Sequence, residues 1–273
     1  MNSRDQLTSP SIAAVNLMAF KTLLTKEIRR FTRIWVQTIV PPAVSAVLYM
    51  MIFGKLIGDR IGPMDGHSYI DFVVPGIIMM AVITNSYGNT VSSFFGAKFQ
   101  HHIEELLIAP VHNWVILAGF VAGGVCRGLC VGAMVAAVAM LFTTMKVENP
   151  VITVLVLVLT STLFAIGGVI NSVFANSFDD ISIIPNFVLT PLTYLGGIFY
   201  SVKLLPDFWY NLSLVNPVLY MINGFRYGIL GSSDFPIGWS FFVIVIFILI
   251  LAAIALHLMN KGCLLYTSPS PRD

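Results

Sequence analysis

Charge is what this sequence has least of. Only 10% of its 273 residues are Asp, Glu, Lys or Arg, whereas 57% are hydrophobic. Because a soluble domain carries about 25% charged residues, this composition excludes an ordinary soluble protein and indicates a polytopic membrane protein. The net charge of +2 and the lack of a basic run interleaved with aromatic residues exclude nucleic-acid binding.

Cysteines and catalytic motifs are scarce as well. Three cysteines, Cys126, Cys130 and Cys263, are too few for a disulfide framework. The sequence has no Gly-x-x-x-x-Gly-Lys-Ser/Thr loop, which excludes an ATP site of that type. It also has no Gly-x-Ser-x-Gly elbow and no convincing Ser/His/Asp or Cys/His set, which argues against a hydrolase. If ATP drives this protein, the ATPase must be another chain.

Long apolar runs are what the sequence does contain. About 20 apolar residues suffice for a helix to cross a bilayer, and the sequence predicts an all-α fold with six such spans. The predicted spans are 34–54, 72–95, 114–141, 151–174, 182–200 and 237–258. Pro185 and Pro191 interrupt the fifth span, which a membrane bundle tolerates when neighbouring groups satisfy the freed carbonyls.

Three regions follow from these spans. Residues 1–33 form an N-terminal region, 34–260 the six-span domain, and 261–273 a C-terminal tail. The tail ends in "CLLYTSPSPRD", whose composition breaks from what precedes it and is typical of a frame-shifted or read-through appendage. We therefore expect residues from about 263 to be non-native and exclude them from the fold prediction.

A different kind of helix precedes the first span. At about 100° per residue, apolar residues fall on one of its faces and cations on the other. The apolar face holds Leu17, Phe20, Leu24, Ile28 and Phe31, and the cationic face holds Lys26, Arg29, Arg30 and Arg33. The pattern predicts a helix in the membrane interface with its cations toward anionic headgroups, and an ordinary soluble amphipathic helix is the alternative.

The distribution of Lys and Arg predicts the orientation of the spans. The segments on the same side of the membrane as the N-terminus contain more Lys and Arg than the segments on the other side. Because the side richer in Lys and Arg is the cytoplasm, both termini are predicted to be cytoplasmic. Segments 96–113 and 175–181 are then cytoplasmic loops. Segment 201–236 lies outside and is too short to cross twice, so it predicts short re-entrant or interfacial helices with aromatic residues at headgroup depth.

The first cytoplasmic loop contains "AKFQHHIEELLIAP", residues 97–110. Its histidines suggest a metal, but Glu105 stands where a second zinc-binding histidine would follow His101, so no metal site is predicted. On a helix, apolar and polar residues separate by face. The apolar face holds Phe99, Ile103, Leu106 and Leu107, and the other faces mostly hold His101, His102, Glu104 and Glu105. This helix is either simply solvated or a docking surface for a cytoplasmic partner.

The third predicted span combines small residues with one charge. Gly124, Gly128 and Gly132 recur every fourth residue and predict a flat stripe for close helix packing. Arg127 lies near the middle of the span, where a charge costs about 2.5–3.5 kcal/mol on insertion scales. It either meets an anionic substrate or pairs with a structural partner, and the sequence leaves both open.

The segment "LTPLTYLGGIFYSVKLLPDFWYNLSLVNPVLYMINGFRYG", residues 189–228, resembles the signature region of type-2 ABC exporter permeases. This family includes exporters of polysaccharides, lipo-oligosaccharides and drugs. The residues that carry the resemblance are Gly196, Gly197, Pro217, Tyr220 and Arg226. It extends over nearly the whole chain and leaves out only the last eleven residues.

The resemblance implies a permease in the bacterial inner membrane that works with a second permease copy and two cytoplasmic ATPase subunits. ATP and Mg are then bound by the ATPases, and this chain is neither an enzyme nor the carrier of a cofactor. The first cytoplasmic loop would supply a helix that couples to the ATPase, and the basic N-terminal helix would act as a connector. The implied coupling residues are Phe99, His101, Ile103, Glu104, Glu105, Leu106 and Leu107.

An ATP-independent secondary transporter or channel is the alternative function. Such proteins usually place paired ionisable residues at mid-membrane. Arg127 is the one clear residue of this kind in the predicted spans, which counts against ion coupling. A membrane-embedded enzyme is a third reading, weakened by the missing catalytic sets.

Overall fold

The computed structural model describes residues 11–261, apart from the side chains of Lys55 and Asp59. This part of the chain is helical and contains no β-strand. Five of its helices are long and apolar enough to cross a membrane. They are Trp35–Gly54, Tyr69–Phe99, Asn113–Ala139, Pro150–Phe174 and Ile237–Asn260. These five coincide closely with predicted spans one to four and six, while the predicted foreign residues from 263 onward lie outside the described range.

Twelve α-helices are numbered here in chain order. They are α1 (Ile12–Arg33), α2 (Trp35–Tyr49), α3 (Gly58–Ile61), α4 (Tyr69–Phe99), α5 (His102–Ile108), α6 (Asn113–Ala139), α7 (Pro150–Phe174), α8 (Asp180–Ile184), α9 (Thr190–Leu195), α10 (Asp207–Leu214), α11 (Pro217–Leu230) and α12 (Ile237–Asn260). A π-helical segment follows α2 (Met50–Ile57), a second joins α8 to α9 (Pro185–Leu189), and Val202–Leu204 form a 3₁₀ turn.

Local sequence signals account for several helix boundaries. The Ser68 hydroxyl caps α4 by accepting a hydrogen bond from the Asp71 amide, as an N-cap serine typically does. Asn216 caps α11 in the same way, and Pro217 occupies the first helical position, where its missing N–H costs nothing. Gly231 ends α11 in the left-handed conformation, which favours glycine.

Helix α4 is the centre of the bundle, and α6 and α7 pack closely against it. The glycine stripe of α6 faces α4. A methyl group at Gly132 would lie 2.6 Å from the Val82 Cγ2 atom. One turn further along α4, a methyl group at Gly128 would clash with Ser86, and a further turn along, one at Gly124 would clash with Thr90. Only glycine at these positions lets the two helices approach this closely.

The predicted fifth span is shorter than expected. Its helical part runs without a gap through α8, the π-helical segment and α9 and ends at Leu195, a length of about 24 Å. Gly197 then adopts φ of 77°, which turns the chain out of the helix. The residues that flank this segment nevertheless contact opposite ends of α4, because Lys98 donates to the Ala175 carbonyl at one end and Tyr69 donates to the Phe199 carbonyl at the other.

These contacts define two ends of the bundle. The α5 end is the one where Lys98 contacts Ala175 and where α6 begins. The α10 end is the opposite one, where Tyr69 contacts Phe199 and where α10 and the start of α11 lie.

The basic helix α1 runs alongside α6 in the same direction. Three contacts share one sequence offset of 96 residues: Asn16 with His112, Leu23 with Gly119, and Glu27 with Gly123. The buried line of α1 is Leu23, Glu27 and Phe31, so a carboxylate lies within the face that packs on the bundle. Leu17, predicted on the apolar face, is exposed. How α1 lies relative to the bilayer stays a prediction.

Candidate functional site

Helix α5 begins later than predicted. Helix α4 continues to Phe99, and His101 then adopts the left-handed conformation with φ of 61°. This interrupts the helix before α5 starts at His102. The prediction that Phe99 and Ile103 lie on one face of a single helix within residues 97–110 is therefore wrong. No local residue pattern at Gln100–His101 marks this break.

One side of α5 is anchored in the core and the other is open. Ile103 is completely buried in a cluster that includes Phe94 and Phe120, and Leu106 and Leu107 pack on the same cluster. On the open side, His101 and Glu104 form a side-chain contact of 2.9 Å. His102, Glu105 and Ile108 are exposed. The acidic pair and both histidines thus lie on or beside the open surface.

An aromatic patch lies beside α5. Phe99 is 60% exposed and contacts Phe178 edge to face, with ring centroids 5.2 Å apart. Phe178 also contacts Phe95 at 4.9 Å and is itself 54% exposed. The patch therefore joins the segments predicted as the two cytoplasmic loops. Phe178 was missed by sequence analysis, because its only signal is a single aromatic residue in the polar stretch "NSFDD".

A buried group of polar side chains lies where α1, α4 and α6 meet, and we call Glu27, Arg30, Asn89 and Ser93 the inner charged cluster. Glu27 is completely buried and accepts a hydrogen bond from the Ser93 hydroxyl. Arg30 lies 3.4 Å from the Glu27 carboxylate and donates to the backbone and side-chain carbonyls of Asn89, each at 2.8 Å. Arg30 was predicted to face outward with the other cations, and the structure turns it inward.

Glu27 is the functional candidate that sequence analysis missed most clearly. Its position between Leu23 and Phe31, each four residues away, placed an acid within an apolar line of α1. An isolated buried carboxylate is costly, so partners from another helix were implied. Lys26, Arg29 and Arg33 remain exposed, as the cationic face predicts.

Arg127 lies close to this cluster but is not part of its network. The residue is half-buried. Its guanidinium forms no hydrogen bond or ion pair within residues 11–261, and its Nε atom is shielded from solvent without a partner. A structural partner for Arg127 is thus absent from the described part of the chain.

A second charged group lies at the α10 end, and we call Phe72, Gly197, Lys203, Arg226 and Asp234 the signature cluster. Arg226 is almost fully buried, donates to the Gly197 carbonyl at 2.8 Å, and lies over the Phe72 ring at 3.7 Å from its centroid. Asp234 lies 3.9 Å from Arg226 and 2.8 Å from the Lys203 ammonium. That ammonium is held charged by the carboxylate, which raises the pKa of Lys203.

The remaining signature residues hold this end together. The Tyr220 hydroxyl donates to the Leu214 carbonyl at 2.8 Å and so joins α10 to α11. A methyl group at Gly196 would clash with Val218 of α11. The segment predicted to hold short helices contains α10, of eight residues, and α11, of 14 residues. Whether they re-enter the membrane stays a prediction.

An uncharged cavity of about 330 Å³ lies between α2 and α4. Its wall combines apolar side chains with amide and hydroxyl groups, and none of its lining residues is charged. The polar lining residues are Gln37, Ser45, Tyr49, Thr84 and Asn85. Cavities of this kind, mostly apolar with a few polar groups, are typical of ligand sites. Residues 11–261 contain no group of three or more side chains suited to hold a metal.

Comparison with known proteins gives a consistent family. A model of the ABC-2 type transporter family matches residues 18–230. The inner membrane transport permease YadH of Escherichia coli (strain K12) is 57% identical over 245 residues, 90% of this chain and 96% of that protein. Nodulation protein J of Rhizobium meliloti (strain 1021) is 24% identical over 193 residues, 70% of this chain and 74% of that protein. Nodulation protein J of Rhizobium leguminosarum bv. viciae is 23% identical over 216 residues, with 79% and 83% covered.

The family match begins within α1 and ends with α11, so it includes α5, the inner charged cluster, the glycine stripe of α6 and the signature cluster apart from Asp234. These matches confirm the family resemblance that residues 189–228 indicate. With its apolar helices and its similarity to an inner membrane permease, the chain belongs to the ABC-2 type transporter family of membrane permeases.

Proposed function

We propose that this chain is the membrane subunit of an ATP-driven exporter in the bacterial inner membrane. Two permease copies would form the translocation path, and two separate ATPase subunits would bind ATP and Mg. The observation that carries the proposal is the 57% identity to a protein named as an inner membrane transport permease, over nearly its whole length. This chain needs no cofactor of its own in that arrangement.

The proposed topology has six crossings. Five are the long apolar helices, and the sixth is the helix from Asp180 to Leu195, whose flanking residues Ala175 and Phe199 contact opposite ends of α4. Six crossings return the chain to the side where it began, and the excess of Lys and Arg favours the cytoplasm for that side. The α5 end is then cytoplasmic and the α10 end periplasmic.

The proposed ATPase contact is the open side of α5 together with the aromatic patch. Its residues are Phe99, His101, Glu104, Glu105 and Phe178, while Ile103, Leu106 and Leu107 anchor α5 in the core. A helix that is rigidly packed on one side and exposed on the other can pass a push from a partner into the bundle. Because Ile103 packs with residues of α4 and α6, such a push reaches both central spans.

The proposed translocation path involves α2 and the uncharged cavity. Few residues of the first span are buried within one chain, and Val40, Val44 and Leu48 are exposed along it. A second permease copy against this face would enclose the cavity between α2 and α4. ATP binding would close the ATPases, and their different affinity for two permease conformations would drive the opening toward the periplasm.

The coupling surface is tested with a charge reversal. We expect Glu104→Lys with Glu105→Lys to abolish ATP-driven transport or release the ATPase, while the permease remains in the membrane, because the acidic pair lies at the proposed contact. The measurements are co-purification with the ATPase and transport in vesicles. Glu148→Lys with Asp207→Lys makes the same charge change at exposed residues of the α10 end and serves as the control.

Full complex formation and transport by the α5 double variant would contradict the proposed coupling surface. Transport by the purified permease without any ATPase would contradict the proposal as a whole and favour the secondary transporter or channel.

A further inference from the structure

The surroundings of Arg127 follow from the register of three helices. Along α1, contacts with α6 keep an offset of 96 residues from Asn16 to Glu27, which brings Phe31 opposite Arg127. Helix α4 runs against α6 in the opposite direction. Its contacts are Thr90 with Gly124, Ser86 with Gly128, and Val82 with Gly132. At the level of Arg127, α4 therefore presents the turn from Ser86 to Asn89.

Helix geometry also gives the direction in which Arg127 points. Gly123 faces α1 and Gly124 faces α4. Because successive residues are about 100° apart, Arg127 projects about 40° from the direction of Gly123 and about 60° from that of Gly124, between the two. It therefore points into the junction of α1 and α4, where Arg30 binds Asn89.

Charges at this junction do not balance. The Glu27 carboxylate is already engaged by Ser93, Arg30 and Asn89, and it is the single acid of the inner charged cluster. An open groove of about 700 Å³ adjoins the cluster along α1. Its charged lining residues are all cations, namely Lys21, Lys26, Arg29, Arg30 and Arg33. Arg127 adds a further positive charge that has no partner within residues 11–261.

We propose that Arg30 and Arg127 form a binding site for a phosphoryl anion carried by an amphiphile. A guanidinium without a partner inside a membrane protein is costly, and a ligand that supplies the missing acceptor removes that cost. The planar fork of Arg127 suits the oxygens of a phosphate group. Arg30, which keeps its hydrogen bonds to Asn89 and Ser92, adds a positive charge beside this fork. This inference rests on the proposed function and narrows it, because it assigns the substrate class as amphiphiles with a phosphate-bearing headgroup.

The remainder of such a ligand also has a place. Asn85 lies one helical turn from Asn89 and lines the uncharged cavity between α2 and α4. A headgroup at Arg30 and Arg127 would thus lie about one turn from a cavity that accepts apolar and hydrogen-bonding groups. The anionic group of the ligand would contact the arginines, and its uncharged part would extend toward the cavity.

The test measures binding to the permease alone, in phosphatidylcholine vesicles with or without a minor fraction of phosphatidic acid. Native mass spectrometry counts the phosphatidic acid molecules retained by each variant. We expect Arg127→Gln to weaken retention at least about tenfold, because a charge-assisted contact is lost. Arg127→Lys should weaken it less, since the charge remains but the fork does not. The control Arg60→Gln removes the same charge at an exposed residue and should change retention less than about twofold.

Inorganic phosphate distinguishes the two sources of the anion. If inorganic phosphate binds to wild type but not to Arg127→Gln, and phosphatidic acid binds to neither, the anion site is supported. The proposed amphiphile is then overturned, because the ligand is free phosphate. Equal retention by wild type and Arg127→Gln would overturn the site, as would loss of folding in Arg127→Gln, since that would reveal a structural partner. The binding assay contains no ATPase, so its result does not depend on whether an ATPase drives this permease. Co-purification of the ATPase with the Arg127→Gln variant tests the proposed function separately.

Discussion

Arg226 and Arg127 are both arginines inside one helical bundle, yet their surroundings are opposite. Arg226 is the more buried of the two, and it has a carbonyl, a carboxylate and an aromatic face as partners. Arg127 is only half-buried and has none within residues 11–261. The comparison teaches that depth alone does not identify a functional charge. The informative quantity is whether the fold supplies the partners that a buried charge requires.

The difference has a structural cause. Partners of Arg226 come from three separate parts of the chain, because the loops at the α10 end fold back over α11. Arg127 lies on a helix with glycines nearby at positions 123, 124 and 128. These glycines allow close helix contact but offer no side chain that accepts a hydrogen bond. Close packing around Arg127 therefore leaves its guanidinium without an internal acceptor.

Substituting each arginine tests whether internal partners distinguish Arg226 from Arg127. Arg226→Leu should lower the free energy of unfolding by about 3 kcal/mol, because it leaves the buried Gly197 carbonyl without its donor and removes one of the two cations beside the buried Asp234 carboxylate. Arg127→Gln should not lower it, because no internal bond is lost and a charge without a partner is removed. Thermal unfolding of the purified permease in detergent measures both. A loss for Arg127→Gln as large as that for Arg226→Leu would remove the distinction between the two arginines.

A smaller effect sharpens the description of the inner charged cluster. Glu27→Gln keeps the shape of the side chain but removes the single carboxylate of the inner charged cluster. We expect phosphatidic acid to bind about threefold more tightly, because the anion no longer faces a carboxylate. Titration with phosphatidic acid at low and high salt measures this gain. Glu148→Gln at the α10 end is the matched control, and an unchanged or weakened affinity in Glu27→Gln would contradict the assignment.

The smallest effect concerns pH at the signature cluster. The hydrogen bond with Asp234 raises the pKa of Lys203, so the pair stabilises the folded state below the ordinary lysine pKa of about 10.4. This contribution is lost as the pH rises through the raised value. Because Lys203 is more than half exposed, Lys203→Met should cost less than about 1 kcal/mol at neutral pH. In Lys203→Met, the free energy of unfolding should also fall less steeply as the pH rises through the alkaline range. An unchanged pH dependence would contradict a stabilising contact between Lys203 and Asp234.

Much of the fold could be predicted because apolar runs specify spans directly. Five of the six predicted spans appear as long helices in the expected places. The fifth differs at its end, where Gly197 turns the chain to meet Arg226, a contact between residues 29 positions apart. The break before α5 was unpredictable for a similar reason, since His101 has no local feature that demands a left-handed conformation.

Membership of the ABC-2 family of membrane permeases follows from the amino-acid sequence alone, because composition, hydropathy and the signature motif are properties of the chain that do not depend on how its helices pack. Which charges are satisfied depends on the packing of the helices. Periodicity shows which residues share a helix face, but it does not show which helix packs on that face. Arg30 is engaged because α4 brings Asn89 to it across 59 positions, and Arg127, on the helix beside them, is left without a partner among the described residues.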